Sequence, residues 1–286
     1  MILVTGSTGT FGSHVAKALQ KKGLKIKVAS FDNLEKMQHK FGDDVLTIKY
    51  DLNNPSTFDE LLEGVKSIYL VAPSGSHQFA EQIVPLLAKA KEKLVNHIVL
   101  TTVMGADANP SSSHYRAEIA VNESSIGFTI IRPNFIFQNF INYDLWAIKK
   151  DMIFLPTENG ETSYNDIRDV AEAIANVLEK PEEHVGKTYT ITGPEALSHS
   201  KISEIFSKVL QRNIKNVNPT EVEYKETLLK FGLPQNTVDF LATLYHYIKL
   251  NYFKSTTRDL EFLLNRKPTT FHQFVSDYKE AFENKI

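Results

Sequence analysis

The chain contains no cysteine among its 286 residues, which excludes disulfide bonds, thiolate catalysis and cysteine-ligated zinc. It also lacks an excess of either charge, because 32 basic residues face 34 acidic ones for a net charge of -2. Such a balance gives no electrostatic footprint for nucleic acid or an anionic membrane. No apolar run approaches the roughly 18 residues of a membrane span, and no charged signal-peptide segment precedes MILVTG. We therefore expect a cytoplasmic protein without a nucleic-acid or membrane partner.

Two kinds of catalytic pattern are missing as well. The His, Asp and Glu residues show no metal-ligand spacing, and there is no acyl-transfer elbow of the G-x-S-x-G kind. The chain does have apolar side chains in quantity, with 42% hydrophobic and 10% aromatic residues. This content is enough for one large core, or for a core with a small second lobe.

Apolar, β-rich runs alternate with amphipathic helical patterns along the first half of the chain. The runs are MILVT, IKVASF, VLTIKY, SIYLVAP, HIVLTTV and FTIIRP. Strands that are apolar throughout are typical of a parallel sheet covered by helices on both faces. The sequence therefore predicts an α/β fold, a doubly wound parallel sheet of the Rossmann type, with a smaller, mostly helical C-terminal lobe.

The pattern also predicts how the chain is divided. A dinucleotide-binding domain is expected over residues 1–135 and a mixed region over residues 136–286. In the mixed region, the helix DIRDVAEAIANVLEK and the strand KTYTITG would return the chain to the sheet near residues 152–192. The substrate lobe would form mainly from residues 198–286. Ligands of doubly wound sheets bind at the carboxyl edge, so the cleft between the lobes is the expected active site.

The segment TGSTGTFG follows the first apolar run and contains three glycines at intervals of three residues. Gly6 suits the tight turn after the strand, Gly9 lets backbone approach a pyrophosphate, and Gly12 lets the first helix pack closely on the sheet. The amino end of that helix would direct N–H groups at the phosphates. A purely structural glycine turn is the alternative. We predict that the dinucleotide is bound by Gly6, Ser7, Thr8, Gly9, Thr10, Phe11 and Gly12.

The end of the second predicted strand should contact the adenosine ribose. Asp32 lies 20 residues beyond Gly12, near the usual offset of an acid that binds ribose hydroxyls, and Phe31 could lie against the adenine. An acid at this position repels a 2′-phosphate, whereas Lys36 is a nearby cation that would favour one. The pattern favours NAD(H) over NADP(H), and the alternative is that Asp32 only caps the following helix.

Five segments together resemble the atypical short-chain dehydrogenase/reductases of the NmrA-like group: TGSTGTFG, YDLNNPSTFDELLEGVKSIYLVAP, TTVMGAD, HYRAEIAVNESSIGFTIIRPNFIFQNF, and the stretch from DIRDVAEAIANVLEK to ISEIFSKVLQR. Within that group the chain looks most like type 2 NAD(P)H:quinone oxidoreductases and triphenylmethane dye reductases. The resemblance implies hydride transfer to a quinone or similar conjugated acceptor. Members that prefer NADPH usually have Arg where this chain has Phe31 and Asp32. The cofactor contacts implied are Asp51, Leu52, Ala72, Pro73, Ser74, Thr101, Thr102, Val103, Pro133, Asn134 and Phe135.

The wider superfamily uses a Tyr and a Lys four residues later on the helix after strand five, but here Tyr115 is followed at that spacing by Ile119. A quinol anion has a phenol-like pKa of roughly 10, so water or a modest donor can complete the proton transfer. The resemblance makes Thr102, in the place of the usual catalytic Ser, and His114 the candidate catalytic residues. Two alternatives stay open: a non-catalytic NAD(P) sensor of the NmrA type with a protein partner, and a nucleotide-sugar epimerase-like enzyme.

Aromatic residues are concentrated directly after the sixth predicted strand, between Phe135 and Trp146. A flat aromatic acceptor would stack against such rings beside the nicotinamide. We therefore predict Phe135 and Phe137 as substrate contacts. The alternative is that these spacings belong to the buried face of a helix.

Overall fold

A computed structural model describes residues 1–31, 34–72 and 76–283. Its strands are β1 (Ile2–Val4), β2 (Ile26–Ser30), β3 (Leu46–Lys49), β4 (Ser67–Val71), β5 (His97–Thr101), β6 (Gly127–Pro133), β7 (Met152–Ile153), β8 (Glu161–Thr162), β9 (Lys187–Ile191), β10 (Leu197–Ser198) and β11 (Lys215–Asn216). Its helices are α1 (Thr10–Lys21), α2 (Leu34–Phe41), α3 (Phe58–Leu61), α4 (Phe79–Glu92), α5 (Ser113–Glu123), α6 (Asn139–Asn142), α7 (Leu145–Ile148), α8 (Ile167–Glu179), α9 (His199–Leu210), α10 (Glu221–Lys230), α11 (Gln235–Lys249), α12 (Asp259–Leu264), α13 (Phe271–Asp277) and α14 (Lys279–Glu283).

Seven parallel strands form the main sheet, in the order β3-β2-β1-β4-β5-β6-β9. The chain begins near the middle with β1, proceeds outward to β3, and then crosses back to β4. β1 pairs with both β2 and β4, so the direction of strand addition reverses at β1. The carboxyl ends beside such a reversal are where doubly wound sheets bind ligands. The predicted doubly wound, Rossmann-type parallel sheet is confirmed.

The strands of the main sheet are buried on both sides because helices cover both faces of the sheet. In β5, Ile98 and Leu100 pack in a core that includes residues of α4 and α5, while Val99 between them is equally buried and points to the opposite face. Elsewhere α1 packs beside α8, and α8 beside α12. No helix in the described ranges is long and apolar enough to cross a membrane.

The chain divides into two compact units. The first comprises Met1–Pro133, Ile167–Ile191 and Asp259–Arg266. The second comprises Asn134–Asp166, Thr192–Arg258 and the segment that begins at Lys267. The return of the chain to the main sheet is made by α8 and β9, whereas β7 and β8 belong to two-stranded sheets with β11 and β10.

Helix α12 belongs to the first unit, although the sequence assigned residues 198–286 mainly to the substrate lobe. The Asn176 side-chain amide on α8 donates to the Leu263 carbonyl at 2.8 Å. The Thr190 N–H on β9 donates to the Asp259 carboxylate at 2.8 Å. These bonds hold both ends of α12 to the first unit, and no local sequence pattern indicates them.

The second unit is mostly helical, as predicted, and has an aromatic core. Rings from α6, α9, α13 and α14 meet with centroid separations between 5.0 and 5.3 Å, mostly edge to face. This geometry is the favourable one for aromatic pairs. The fully buried rings of this core are Phe137, Phe140, Phe206, Phe271, Phe274 and Phe282.

Buried His199 joins two segments of the second unit. Its Nδ1 lies 2.7 Å from Thr157 Oγ1, and its Nε2 lies 3.0 Å from Tyr164 Oη. Burial lowers the pKa of His199 to about 4. The imidazole is therefore neutral at pH 7 and is held between the two hydroxyl groups.

We expect His199→Gln to destabilise the protein at pH 7 and to do so progressively less as the pH falls. The unfolded chain protonates this histidine near pH 6.5, whereas the folded chain resists protonation until about pH 4. Wild type should therefore lose about 3 kcal/mol of unfolding free energy across that window, and the variant should not. Urea unfolding at several pH values measures the difference. His272→Gln, at an exposed histidine, is the control, and a difference independent of pH would contradict the assignment.

Candidate cofactor and active site

The loop between β1 and α1 contains two positions, Gly6 and Gly12, at which a side chain does not fit. Gly6 has φ +59°, and a Cβ on it would lie 2.7 Å from Val71 Cγ1. A Cβ on Gly12 would collide with the Gly6 carbonyl oxygen and lie 2.5 Å from the Thr5 carbonyl oxygen. Gly9 is exposed and caps α1 with extended backbone. The loop thus exposes the amino end of α1, where backbone N–H groups attract anions.

The hydroxyl groups of the loop differ from one another in role. The Ser7 hydroxyl is fully buried and donates to the Ala29 carbonyl at 2.8 Å, with Met37 Sδ at 3.0 Å. Ser7 therefore fixes the loop to β2 and α2, with its hydroxyl proton directed at the Ala29 carbonyl. The binding of the dinucleotide by Ser7 stays a prediction. Thr8 is exposed and Thr10 partly exposed at the start of α1. Phe11 follows in the first turn of α1 and is half-buried.

The predicted contacts with the adenosine and the middle of the cofactor follow strands β2, β3 and β4, and so lie at one edge of the sheet. Phe31 is 59% exposed directly after β2. The Asp51 carboxylate accepts from the Asn53 N–H at 2.8 Å and turns the chain after β3. Leu52 and Ala72 are half-buried and pack against the core. Asp32, Pro73 and Ser74, for which contacts were also predicted, lie outside the described residues.

A buried polar network joins the end of β5 to α5 and β6. The Thr102 hydroxyl donates to Glu118 Oε1 at 2.6 Å. Arg132 donates to both oxygens of Glu118, from Nε at 3.0 Å and from Nη2 at 2.6 Å. Arg132 Nη1 also reaches Asp107 at 2.6 Å. Thr102 and Glu118 are each 4% exposed, and the bonds to Glu118 raise the pKa of Arg132.

This network decides what Thr102 can do. A hydroxyl carries one proton, and the Thr102 proton is directed at the Glu118 carboxylate. The Thr102 oxygen can therefore accept a hydrogen bond from a ligand but has no proton to donate to a substrate carbonyl. If the catalytic role implied for Thr102 by the resemblance meant donating to a substrate carbonyl, it would not fit this geometry.

The polar groups of Thr101, Pro133 and Asn134 form hydrogen bonds with other groups of the protein. The buried Thr101 hydroxyl donates to Tyr69 Oη at 3.0 Å, and the Pro133 carbonyl accepts from the Met104 N–H at 2.9 Å. The Asn134 amide donates to Ser163 Oγ at 2.8 Å, within the second unit. The polar groups of these residues therefore hold the ends of β5 and β6 in place. Val103 is 40% exposed after β5.

His114 lies in the first turn of α5, which Ser112 caps by accepting from the Tyr115 N–H at 3.1 Å. Its Nδ1 is buried and has no hydrogen-bond partner among the described residues. Burial lowers the pKa of His114, and the charge of Glu118 opposes that shift. The imidazole is thus neutral at pH 7 and has an unused ring nitrogen.

The sequence pattern of the NmrA-like family matches residues 1–275. The chain belongs to the NmrA-like family. The resemblance inferred from the glycine loop and the later motifs is thereby confirmed. NAD(P)H azoreductase of Xenophilus azovorans is 30% identical over 286 residues, which cover 99% of each chain.

Two solved structures share the fold of this NmrA-like chain. Triphenylmethane reductase of Citrobacter sp., in complex with NADP(H), is 24% identical with a TM-score of 0.88, and the match covers 98% of this chain and 100% of that one. NADPH-dependent quinone oxidoreductase of Escherichia coli, in complex with NADPH, is also 24% identical with a TM-score of 0.88 and the same coverage.

The two predicted substrate contacts of this NmrA-like chain lie in different environments. Phe135 is half-buried and packs edge to face against Tyr164 and Phe253, with centroids 5.8 and 5.1 Å away. Phe137 is 1% exposed and enclosed by Phe271 and Phe274. We therefore assign Phe137 to core packing, which was the alternative considered from the sequence.

Sequence reasoning missed Glu118 and Arg132 as a pair. One signal was available, since Arg132 interrupts the apolar run FTIIRP, and an arginine in a buried strand requires an acidic partner. The sequence did not identify that partner, because several acids are candidates until the strand and helix are placed side by side.

Proposed function

We propose that the chain is an NAD(P)H-dependent reductase that transfers hydride to a quinone or a similar conjugated acceptor. The observation that carries the proposal is the β1–α1 loop, whose glycine geometry exposes the amino end of α1 where the strand order reverses. Dinucleotide phosphates bind at such a position. The relatives named for azo, dye and quinone reduction support the class of reaction.

The described residues fit a nicotinamide dinucleotide. Backbone groups from Gly6 to Gly12 would hold the phosphates, and the Thr102 oxygen would accept from a hydroxyl or amide of the cofactor. The bound cofactor would supply the hydride. Glu118 and Arg132 would keep Thr102 in its accepting orientation.

His114 is the group that we propose to contact the acceptor. A neutral imidazole donates a hydrogen bond from one ring nitrogen, but it has no extra proton to give. Water would therefore supply the proton that converts a quinol anion to the quinol. This division of tasks suits a chain that has Ile119 four residues after Tyr115, because no base has to remove a hydroxyl proton.

The choice between NADH and NADPH depends on residues after β2. We propose NAD(H), with NADP(H) also accepted, because the Asp32 carboxylate would repel a 2′-phosphate. The two solved relatives hold NADP(H), and Lys36 of α2 is the cation nearby in sequence that would favour it. A higher kcat/KM for NADPH than for NADH would contradict the argument from Asp32.

We expect wild type to oxidise NADH with at least one acceptor from a panel of quinones, an azo dye and a triphenylmethane dye. Gly9→Asp should lower turnover by more than about 100-fold, because its carboxylate would face the cofactor phosphates at the amino end of α1. The backbone of Gly9 is extended and a Cβ there meets only the Gly6 carbonyl oxygen, at 3.3 Å, so the variant should still fold, with at most a small drop in melting temperature. Loss of NADH absorbance measures the rate.

Gly9→Ala is the matched control, because it adds a Cβ 3.3 Å from the Gly6 carbonyl oxygen without adding charge. It should lower turnover much less than Gly9→Asp does. Cofactor binding without turnover on any acceptor would contradict the reductase proposal and favour the non-catalytic sensor, for which a partner protein would then be sought.

A further inference from the structure

The loop between β5 and α5, residues 105–112, has little apolar anchorage in the protein. Among its eight residues, all of which the structure describes, Ala106 alone is buried, and residues 107–111 are all exposed. Arg132 holds the β5 end of the loop through an ion pair with Asp107 at 2.6 Å. A segment with so few buried contacts keeps one conformation only if polar groups hold it. The end next to α5 therefore needs a tether of its own.

Arg116, on α5, ties this loop to two other segments of the first unit. Its Nη1 donates to the Ser111 carbonyl at 2.5 Å, and its Nη2 donates to the His77 carbonyl at 3.1 Å. Its Nε donates to Glu81 Oε1, in the first turn of α4, at 3.0 Å. We refer to these three bonds as the Arg116 clamp. Every nitrogen of one planar guanidinium is thus engaged, each with a different segment of the chain.

The segments that the Arg116 clamp joins lie beside the candidate site. The Ser111 carbonyl directly precedes Ser112, whose hydroxyl caps α5, and His114 lies in the first turn of that helix. His77 follows β4, which pairs in parallel with β5, so both clamped segments come from the carboxyl edge of the sheet. The guanidinium is rigid and planar, so it fixes the spacing between the two carbonyl groups. Arg116 thereby sets where α5 begins relative to the segment after β4.

The segment after β4 also has a tether that does not depend on Arg116. The Gln82 side-chain amide on α4 donates to Asn53 Oδ1 at 2.9 Å. Gln82 Oε1 accepts from the Ser76 hydroxyl at 3.4 Å. Loss of Arg116 should therefore release the α5 end of the loop after β5 and leave the segment after β4 in place.

We propose that Arg116 is a positioning residue for the acceptor, because its clamp keeps the start of α5, and with it His114, in the arrangement that binds the acceptor. The inference rests on the proposed function in that it takes His114 to contact the acceptor. Without the clamp, only a fraction of the molecules would hold the loop in that arrangement. The apparent affinity falls in proportion to this fraction, whereas the complex that does form is unchanged. The expected signature is a change in KM without a change in kcat.

Arg116→Ala should raise the KM for menadione, a neutral quinone, at least fivefold and change kcat less than twofold, both measured by NADH oxidation. The affinity for NADH, from a fluorescence titration, should change less than twofold, because Gln82 still holds the segment after β4. Arg116→Lys should not restore the KM, because one ammonium group lacks the fork that reaches three acceptors. An unchanged KM for menadione in Arg116→Ala would overturn the proposal, and so would an equal loss of affinity for NADH.

Glu81→Gln is the matched control. It removes the charge of the ion pair with Arg116, but the amide oxygen of the glutamine still accepts from Arg116 Nε. The bonds to the Ser111 and His77 carbonyls do not involve this side chain, so the KM for menadione should change less than twofold. A rise in KM equal to that of Arg116→Ala would assign the effect to the ion pair with α4 and overturn the proposal.

Two measurements without turnover separate this inference from the proposed function. The Asn109 and Ser112 N–H groups bond within the loop, to the Ala106 and Asn109 carbonyls, and their hydrogen exchange should be at least fivefold faster in Arg116→Ala. Equilibrium dialysis of the full chain with menadione and oxidised NAD compares the affinities directly. Faster exchange and weaker menadione binding in a chain that oxidises no NADH would support the clamp and count against the reductase. Oxidation of NADH by wild type, with the same exchange rates and KM in Arg116→Ala, would leave the reductase standing and overturn the clamp.

Discussion

Gly12→Ala should abolish dinucleotide binding and lower the free energy of unfolding by about 2 kcal/mol or more. The new Cβ would collide with the Gly6 carbonyl oxygen and lie 2.5 Å from the Thr5 carbonyl oxygen. Both are backbone atoms, so α1 has to move away from the loop. That movement displaces the N–H groups at the amino end of α1. Urea unfolding and a fluorescence titration with NADH and NADPH measure the two effects.

Gly23→Ala is the control for this substitution. Gly23 has φ +70°, and a Cβ there would meet no atom within 4 Å. The control should therefore cost about 1 kcal/mol from backbone strain alone and leave dinucleotide binding unchanged. Unimpaired binding to Gly12→Ala would show that α1 does not need its close approach to the loop.

The second large effect is expected for Glu118→Ala, which should lower the free energy of unfolding by about 3 kcal/mol. The substitution removes the buried partner of Arg132 and the acceptor of the Thr102 hydroxyl. Arg132 would retain only the bond to Asp107, whose side chain is 56% exposed. A largely buried guanidinium without its main partner is costly. Urea unfolding at pH 7 measures the loss.

Asp107→Ala removes the other carboxylate from the same arginine and is the matched control. Because the Asp107 side chain of this ion pair is exposed to solvent, the substitution should lower the free energy of unfolding by only about 0.5 kcal/mol. If both variants lowered the free energy of unfolding by similar amounts, burial of Glu118 would not strengthen its ion pair with Arg132. Glu118→Ala should also free the Thr102 proton, so we expect it to change cofactor affinity, which Asp107→Ala should leave alone.

The parts of the fold that follow local patterns were predictable from the sequence. Apolar runs such as HIVLTTV mark strands because both faces of the sheet are covered, and the glycine loop is recognisable because Gly6 and Gly12 leave no room for a Cβ. The alternation of these runs with helical patterns then indicates a parallel sheet. These inferences need only neighbouring residues.

The roles of individual polar side chains were not predictable in the same way. Ser7, Thr101 and Asn134 have polar side chains next to the predicted cofactor site, as ligand contacts do. Their hydrogen bonds, however, go to Ala29, Tyr69 and Ser163. Those partners are 22 to 32 residues away in the chain. A hydroxyl or amide next to a predicted site is therefore a contact only if the tertiary structure leaves it without a nearer partner.

The bonds of Ser7 have a consequence for the thermodynamics of recognition. Its hydroxyl and its N–H both point to the Ala29 carbonyl, and Met37 Sδ lies 3.0 Å from the hydroxyl. The loop after β1 is thus held by the protein's own contacts, and its conformation does not depend on a bound molecule. A preorganised segment loses little conformational entropy on association. The cost of ordering this loop is met when the chain folds rather than each time a ligand binds.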